Sequence, residues 1–338
     1  MRSHSYNFSA KQLVYAMAPV LIVACLCILA LHAANGLGLL PATPAALHPT
    51  ETQLRHQAKA SCSRHPARVA LIGDSTCVAG IDAATLSSKI GLPAINLSLI
   101  VGIDLESYAQ ETADFAAANP HQLEWVILLV NPGKFSGNAE SASEITLWHT
   151  INEQLYLERS GVHPFWDSTD MFAVGLIRER LAPYLLPQAL SHRGAAYFGF
   201  ATEVDAYMTA HNGSLIDFGE YATVSGSAHP VESHSWPIGP ECETVCRHFR
   251  SLLAPGVKLA IGLTPLPFSI APRNSHEQTV ATLRQLAPWM HADLILSNLP
   301  AVLPNPCFSS SGHLNASGQT RFTEALAREF HPIHDQRE

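Results

Sequence analysis

Charge is scarce in this chain. Asp, Glu, Lys and Arg make up 14% of its 338 residues, against about a quarter in an average globular protein. What charge there is leans acidic: 20 Lys and Arg stand against 28 Asp and Glu, for a net charge of −8. Nucleic-acid binding, which needs a basic patch or stripe, is therefore not expected. No His-Glu-x-x-His and no paired Cys-x-x-Cys occurs among the 18 histidines and 7 cysteines. Neither a dedicated metal site nor another cofactor is expected on that ground. The widest gap in charge lies at the N-terminus, where no Asp, Glu, Lys or Arg falls between Lys11 and Glu51.

Leu13 to Leu31 inside that gap is almost wholly apolar, close to the ~20 residues that cross a bilayer as a helix. Arg2 and Lys11 precede it and no basic residue follows before Arg55. The positive-inside rule then sets residues 1–11 in the cytoplasm, a single-pass anchor over 12–34 in the cytoplasmic (inner) membrane, and the rest in the periplasm or its equivalent outside. Ala30-Leu31-His32-Ala33-Ala34 imitates a signal-peptidase site, but the apolar run exceeds the 7–15 residues of a signal-peptide core, which favours an uncleaved anchor. Residues 35–65, broken by Gly36, Gly38, Pro41, Pro44 and Pro49, read as a linker.

From residue 66 the chain alternates strand and helix signals. Val69–Ile72, Ala94–Leu99, Trp125–Val130, Val257–Leu263 and Leu294–Leu296 are strand-like runs, the third unbroken and apolar as a central parallel strand covered on both faces should be. Asp104–Ala118, Glu241–Leu253, Glu277–Met290 and a final helix capped by Asn315 have helical periodicity, with Leu105, Tyr108, Ala109, Phe115 and Ala116 on one face of the first and Phe322, Leu326 and Phe330 on one face of the last. The β-α-β order predicts an α/β domain over 66–338 with a doubly wound, five-stranded parallel sheet and right-handed crossovers. Residues 134–240 break the rhythm. Ser143–Arg159 and Met171–Leu186 read as helices in an otherwise irregular insertion beside the active site. The insertion's Trp148, Trp166, Tyr197, Phe198, Phe200 and Trp236 are either core residues or platforms for sugars. Of the five cysteines after the apolar span, Cys62, Cys77, Cys242, Cys246 and Cys307, at least one is unpaired, and spacing does not assign the others.

The first strand ends in Gly73-Asp74-Ser75. Ligand sites in open parallel sheets form outside the carboxyl ends of the strands, so Ser75 stands where a nucleophile belongs. Near the C-terminus, His313-Leu314-Asn315-Ala316-Ser317-Gly318 lies between the last strand and the last helix. A serine hydroxyl near neutral pH needs such a base. Together these blocks resemble those of the GDSL/SGNH hydrolase superfamily. With Gly80-Ile81-Asp82 just beyond the serine, they are similar to its membrane-anchored acyltransferase branch, which includes the D-alanyl-transfer protein of teichoic acid synthesis and the acetylation proteins of alginate.

The resemblance implies a flavodoxin-like sheet, Ser75 as nucleophile and His313 as general base. Asn96-Leu97-Ser98 followed by Gly102 resembles the glycine block, and Val130-Asn131-Pro132-Gly133 stands in place of the asparagine block, which implies Gly102 and Asn131 as oxyanion donors. Ser98 or Ile103 is the alternative to Gly102, an Asn-Pro turn is the plain alternative for Asn131, and Cys77 is the alternative nucleophile. The family's aspartate three residues before the histidine is Ser310 here, a possible third member that cannot stabilise an imidazolium as a carboxylate does. Asp74, Asp293 and Glu277 are conceivable substitutes. The function implied is serine-dependent O-acyl transfer, with acetyl as the expected group, onto a cell-envelope polysaccharide. The partners implied are an acyl donor, a polysaccharide acceptor and a multispan membrane O-acyltransferase. A carbohydrate or lipid esterase, or an inactive binding protein of the same fold, are the alternatives.

Overall fold

A computed structural model of the chain describes residues 10–36, 49–99, 104–135, 148–149, 151–152, 201–216 and 238–334. The chain divides into two compact units, Met1–Pro44 with Leu157–Leu190, and Ala45–Tyr156 with Ser191–Glu338.

In the first unit the described element is helix α1, Ala10–Gly36, 27 residues long with Pro19 inside it. Tyr15, Met17, Val20, Leu21, Ile22, Val23, Leu26 and Leu29 on it are exposed. The side chains of Leu13, Val14, Ala24 and Ile28, among others, lie outside the description. Over the described residues no helix is long and apolar enough to cross a membrane.

The second unit is built on a five-stranded sheet in the order β2-β1-β3-β4-β6: β1 Val69–Gly73, β2 Ala94–Asn96, β3 Trp125–Val130, β4 Lys258–Leu263 and β6 Leu294–Ile295. Each neighbouring pair runs parallel. Every residue of β1 and β3 is buried, and their side chains divide by parity. Ala70, Ile72, Val126, Leu128 and Val130 pack on one face with helices α2 (Pro49–Ser61), α5 (Leu105–Ala118), α7 (Cys242–Leu252) and α8 (Ser275–Met290). Val69, Leu71, Ile127 and Leu129 pack on the other with α4 (Ala83–Ile90) and α9 (Ala316–His334). The period of two along a strand thus feeds two separate cores, and the result is the doubly wound α/β fold expected. A small second sheet pairs β5 (Leu266–Pro267) with β7 (Val302–Leu303). Phe322, Leu326 and Phe330 of α9 are fully buried against the sheet. Asn315 Oδ1 caps that helix by accepting the Gly318 N–H at 3.1 Å.

Two expectations need correction. The segment 35–65, expected to be a linker, contains helix α2, whose Leu54 and Ala58 are buried in the main core. Pro49 opens this helix instead of breaking it, since the first helical position needs no N–H. The insertion, in turn, is partly integral to the domain. Helix α6 (Ala201–Ala210) leads to a turn that covers the outer edge of β2. The Asn96 N–H donates to Asn212 O at 2.8 Å, and Asn212 Nδ2 donates to Ala94 O at 3.2 Å. An open edge strand would otherwise offer these groups to another chain. The helices expected at Ser143–Arg159 and Met171–Leu186 lie outside the described residues, apart from 148–149 and 151–152. There Trp148 and Ile151 are core residues, so Trp148 is not a sugar platform. Trp166, Tyr197, Phe198, Phe200 and Trp236 lie outside the description. The cysteines are free thiols, with the Cys242 and Cys246 sulfurs 3.6 Å apart one turn from each other on α7.

One core residue is chemically out of place. Glu111 on α5 is 2% exposed, and neither carboxyl oxygen meets a hydrogen-bond partner among the described residues. Burial first, then the charge of Asp114, holds its carboxyl well above the usual range. The folded state therefore keeps a proton that the unfolded chain loses near pH 4, and stability falls as pH rises from there towards the folded-state pKa. Glu111→Gln is expected to be more stable than the parent at neutral pH by more than about 1 kcal/mol, with the gap closing below pH ~4. Urea titrations at several pH values test this. A gap that does not narrow in acid would count against it.

Candidate active site

Reversal of strand order between β1 and β3 opens a crevice at their carboxyl ends, the usual ligand position in such sheets. Gly73 closes β1 there. A Cβ at this position would stand 1.8 Å from Leu129 O, so only glycine permits the approach to β3. The chain then turns at once into a four-residue helix, α3, Ser75–Val78. Asp74 is its N-cap: Oδ1 accepts the Thr76 N–H at 2.9 Å and the Thr76 hydroxyl at 2.5 Å. Oδ2 accepts the Asn131 N–H at 2.9 Å, so the carboxylate spans the crevice from β1 to β3. The Thr76 hydroxyl also meets the Thr264 hydroxyl at 2.7 Å, tying the turn to the end of β4.

The far end of α3 is held as firmly. A helix this short leaves its last carbonyls without internal partners. Here Cys77 O takes Asn96 Nδ2 at 3.4 Å, Val78 O takes the Leu215 N–H at 2.9 Å, and Ala79 O takes Gln319 Nε2 at 3.1 Å. Within 69–81, Ser75 is the one residue that is not buried.

His313 Nε2 lies 2.9 Å from Ser75 Oγ, across 238 residues of sequence. The loop that presents it explains its own motif. The Ser309 N–H donates to His313 O at 3.0 Å, and Phe308 and Leu314 form an antiparallel bridge. Leu314 is buried. The Asn315 N–H donates to Cys307 O at 3.0 Å, and a Cβ on Gly318 would approach that same oxygen to 2.1 Å. Leu314, Asn315 and Gly318 are therefore scaffolding for the imidazole.

Ser310 is close to His313 but serves the loop. Its Oγ accepts the His313 N–H at 3.1 Å and the Gly312 N–H at 3.4 Å, the hydroxyl turn typical of serine. His313 Nδ1 is buried. Of the carboxylates considered as substitutes, Asp74 is committed to Thr76 and Asn131. Asp293 Oδ2 accepts the Leu259 N–H at 2.9 Å, which puts it at the amino-terminal edge of the parallel sheet, away from Ser75. Glu277 is exposed on the first turn of α8.

Asn131 directly follows β3 at the crevice. Its Oδ1 accepts the Gly133 N–H at 2.9 Å, which leaves Nδ2 as the end able to donate to an oxyanion. Gly102 and Ile103 lie outside the described residues. Ser98 is not a replacement for them through its backbone, because its N–H donates to Asn96 Oδ1 at 3.0 Å. The Ser98 hydroxyl, which reaches no other described partner, faces the Cys77 thiol. Cys77 is fully buried. Burial pushes its thiol up to about 12, the Ser98 hydroxyl offsets part of this and Asp74 adds to it. A neutral, enclosed thiol is a poor nucleophile, so the geometry separates Cys77 from Ser75.

Among the described residues no cluster of three or more His, Cys, Asp or Glu could hold a metal ion. No protein-family model, no curated protein and no solved structure matches the chain.

The role of Asp74 as a brace was open to a sequence reading. Asp followed two residues on by Thr at a strand-to-helix junction is a capping signal. Gln319 and Thr264 carried none, since their partners come from distant parts of the chain.

Proposed function

We propose that this protein is a membrane-anchored, SGNH-like serine O-acyltransferase acting outside the cytoplasm, with acetyl as the group transferred and a cell-envelope polysaccharide as acceptor. The observation that carries the reading is the 2.9 Å contact between Ser75 Oγ and His313 Nε2 at the mouth of the β1–β3 crevice. Ser75 Oγ attacks the acyl carbonyl while His313 Nε2 takes its proton. The negative charge on the carbonyl oxygen is met by Asn131 Nδ2, by Gly102 on the strength of the family resemblance, and by the Ser75 N–H, which as the first of α3 has no acceptor inside the helix. Collapse expels the donor's leaving group, which receives the proton from His313. A sugar hydroxyl then gives its proton to His313, attacks the acyl-serine and leaves as the ester, restoring the Ser75 hydroxyl. Ser310 shapes the loop that carries His313, a positioning role.

The proposed anchor is the segment 12–34 and rests on the sequence alone: the charge-free stretch after Lys11 supports an external catalytic domain. Delivery of the acyl group by a multispan membrane O-acyltransferase rests on the family resemblance alone.

Incubating the full-length protein with a fluorophosphonate probe tests the core of the reading. Ser75 Oγ is expected to displace fluoride from phosphorus and be labelled stoichiometrically. No labelling of folded protein would overturn it and favour an inactive binding role. An acyl-donor ester with and without added oligosaccharide then separates transfer to sugar from release to water, the second being esterase behaviour. Alkaline phosphatase fused after residue 338 should be active, and an intact but inactive fusion would reverse the orientation.

A further inference from the structure

We propose that Gln57 of helix α2 is a positioning residue for Ser75, so that the helix following the N-terminal span is part of the catalytic scaffold; this rests on the acyl-transfer reading above.

Helix α2 is polar, yet it buries Gln53 and Gln57 completely. Burying an amide is unfavourable unless its hydrogens find acceptors. Gln57 Nε2 lies within hydrogen-bond distance of three carbonyls that share its two hydrogens, Asn96 O at 2.8 Å, Ser98 O at 3.0 Å and Gly213 O at 3.0 Å, while its Oε1 meets no partner among the described residues. Gln53 Nε2 donates to Ser98 O at 2.9 Å. Three converging acceptors settle the orientation of the Gln57 amide, since a flipped group would set oxygen against oxygen. These carbonyls belong to the backbone just where the chain leaves β2, an edge strand, and to the turn after α6.

From that backbone the contacts lead directly to the nucleophile. Asn96 Nδ2 reaches Cys77 O at 3.4 Å and Ile81 O at 3.3 Å. The Ser98 hydroxyl faces the Cys77 thiol. The Leu99 N–H donates to Gly73 O at 2.9 Å, and the Leu97 N–H to Leu71 O at 2.8 Å. Residues 96–99 therefore grip both the end of β1 and the helix α3 that Ser75 opens, and Gln57 holds residues 96–99 from behind. Replacing the amide with an apolar group of similar size leaves the three carbonyls without this donor and lets the segment shift. A shift near 1 Å at a reacting group costs about 100-fold in rate.

The test uses full-length protein and fluorophosphonate labelling, with the rate constant expressed per titratable site so that loss of folded protein is factored out. Gln57→Leu is expected to slow labelling per site by about 10- to 100-fold. Leu283→Ala, on α8 in the same core and 1% exposed, is expected to lower the melting temperature while keeping the parent rate per site. Gln57→Glu can donate to the carbonyls only when protonated. With one hydrogen in place of two, its rate relative to the parent should recover in part in acid and fall as pH rises. Parent-like labelling in Gln57→Leu, or equal slowing in Leu283→Ala, overturns the positioning role while leaving the acyl-transfer reading in place. Absence of labelling in the parent overturns that reading and this inference with it.

Discussion

Ser75→Ala is expected to lose all fluorophosphonate labelling and all acyl transfer, with thermal unfolding unchanged to within about 0.5 kcal/mol. The two halves of the result have different causes. In the proposed mechanism Ser75 Oγ is the atom that forms the covalent bond, so nothing replaces it. The side chain is also the single partly exposed one in a buried stretch, and the braces of the turn run through Asp74, Thr76 and the carbonyls of α3. Removing the hydroxyl leaves each of those contacts in place. His313→Ala is expected to slow labelling by about 10²–10⁴-fold without abolishing it, because the oxyanion donors and the seat of the serine survive. Combining the two should cost no more than Ser75→Ala alone, as for groups that act as a unit. Cys77→Ala should label like the parent. Labelling that persists in Ser75→Ala and disappears in Cys77→Ala would move the nucleophile to the thiol, against its burial and its raised pKa.

The parts of the fold that could be read in advance are those where apolarity alone specifies position. β1 and β3 are apolar on both faces because both faces feed a core, and their sequences show unbroken runs. Helix α9 shows its buried Phe322, Leu326 and Phe330 at helical spacing, behind an Asn315 that caps it. Ser75 and His313 were legible for a related reason. Each sits at a punctuated junction, one after a glycine that ends a strand and the other just before a capping asparagine. Helix α2 was not legible, because much of the face it buries consists of amides: Gln53 and Gln57 lie inside beside Leu54 and Ala58. A buried glutamine satisfied by distant carbonyls has no pattern in sequence. The same holds for the turn at Asn212 to Leu215, which lies in a stretch rich in Gly, Ser and His and yet closes the edge of β2. Asp74 is a conceivable substitute orienter for His313 by sequence, whereas its oxygens are taken by Thr76 and by the backbone of Asn131.

Asp74→Asn should therefore damage both stability and rate, although Asp74 does not pair with His313. The carboxylate is 7% exposed and accepts three hydrogen bonds: from the Thr76 N–H and hydroxyl on one oxygen and from the Asn131 N–H on the other. An asparagine has one oxygen. If it faces Thr76, the new NH₂ meets the Asn131 N–H, donor against donor. If it faces Asn131, the clash moves to Thr76, whose hydroxyl must then turn its proton fully to Thr264. Either way a buried donor loses its acceptor, at about 1–3 kcal/mol, and the weaker neutral acceptor adds to that. The crevice loses the bond that ties the start of α3 to the end of β3, which is also the bond that fixes the backbone of Asn131. Ser75 and the proposed oxyanion donor then shift relative to each other, and a loss near 100-fold in labelling rate per titratable site follows. Measuring the urea midpoint together with the labelling rate separates the effects. A parent-like midpoint would mean that the three bonds do not brace the turn. A lowered midpoint with a parent-like rate per site would mean that the brace supports the fold without setting the position of Ser75.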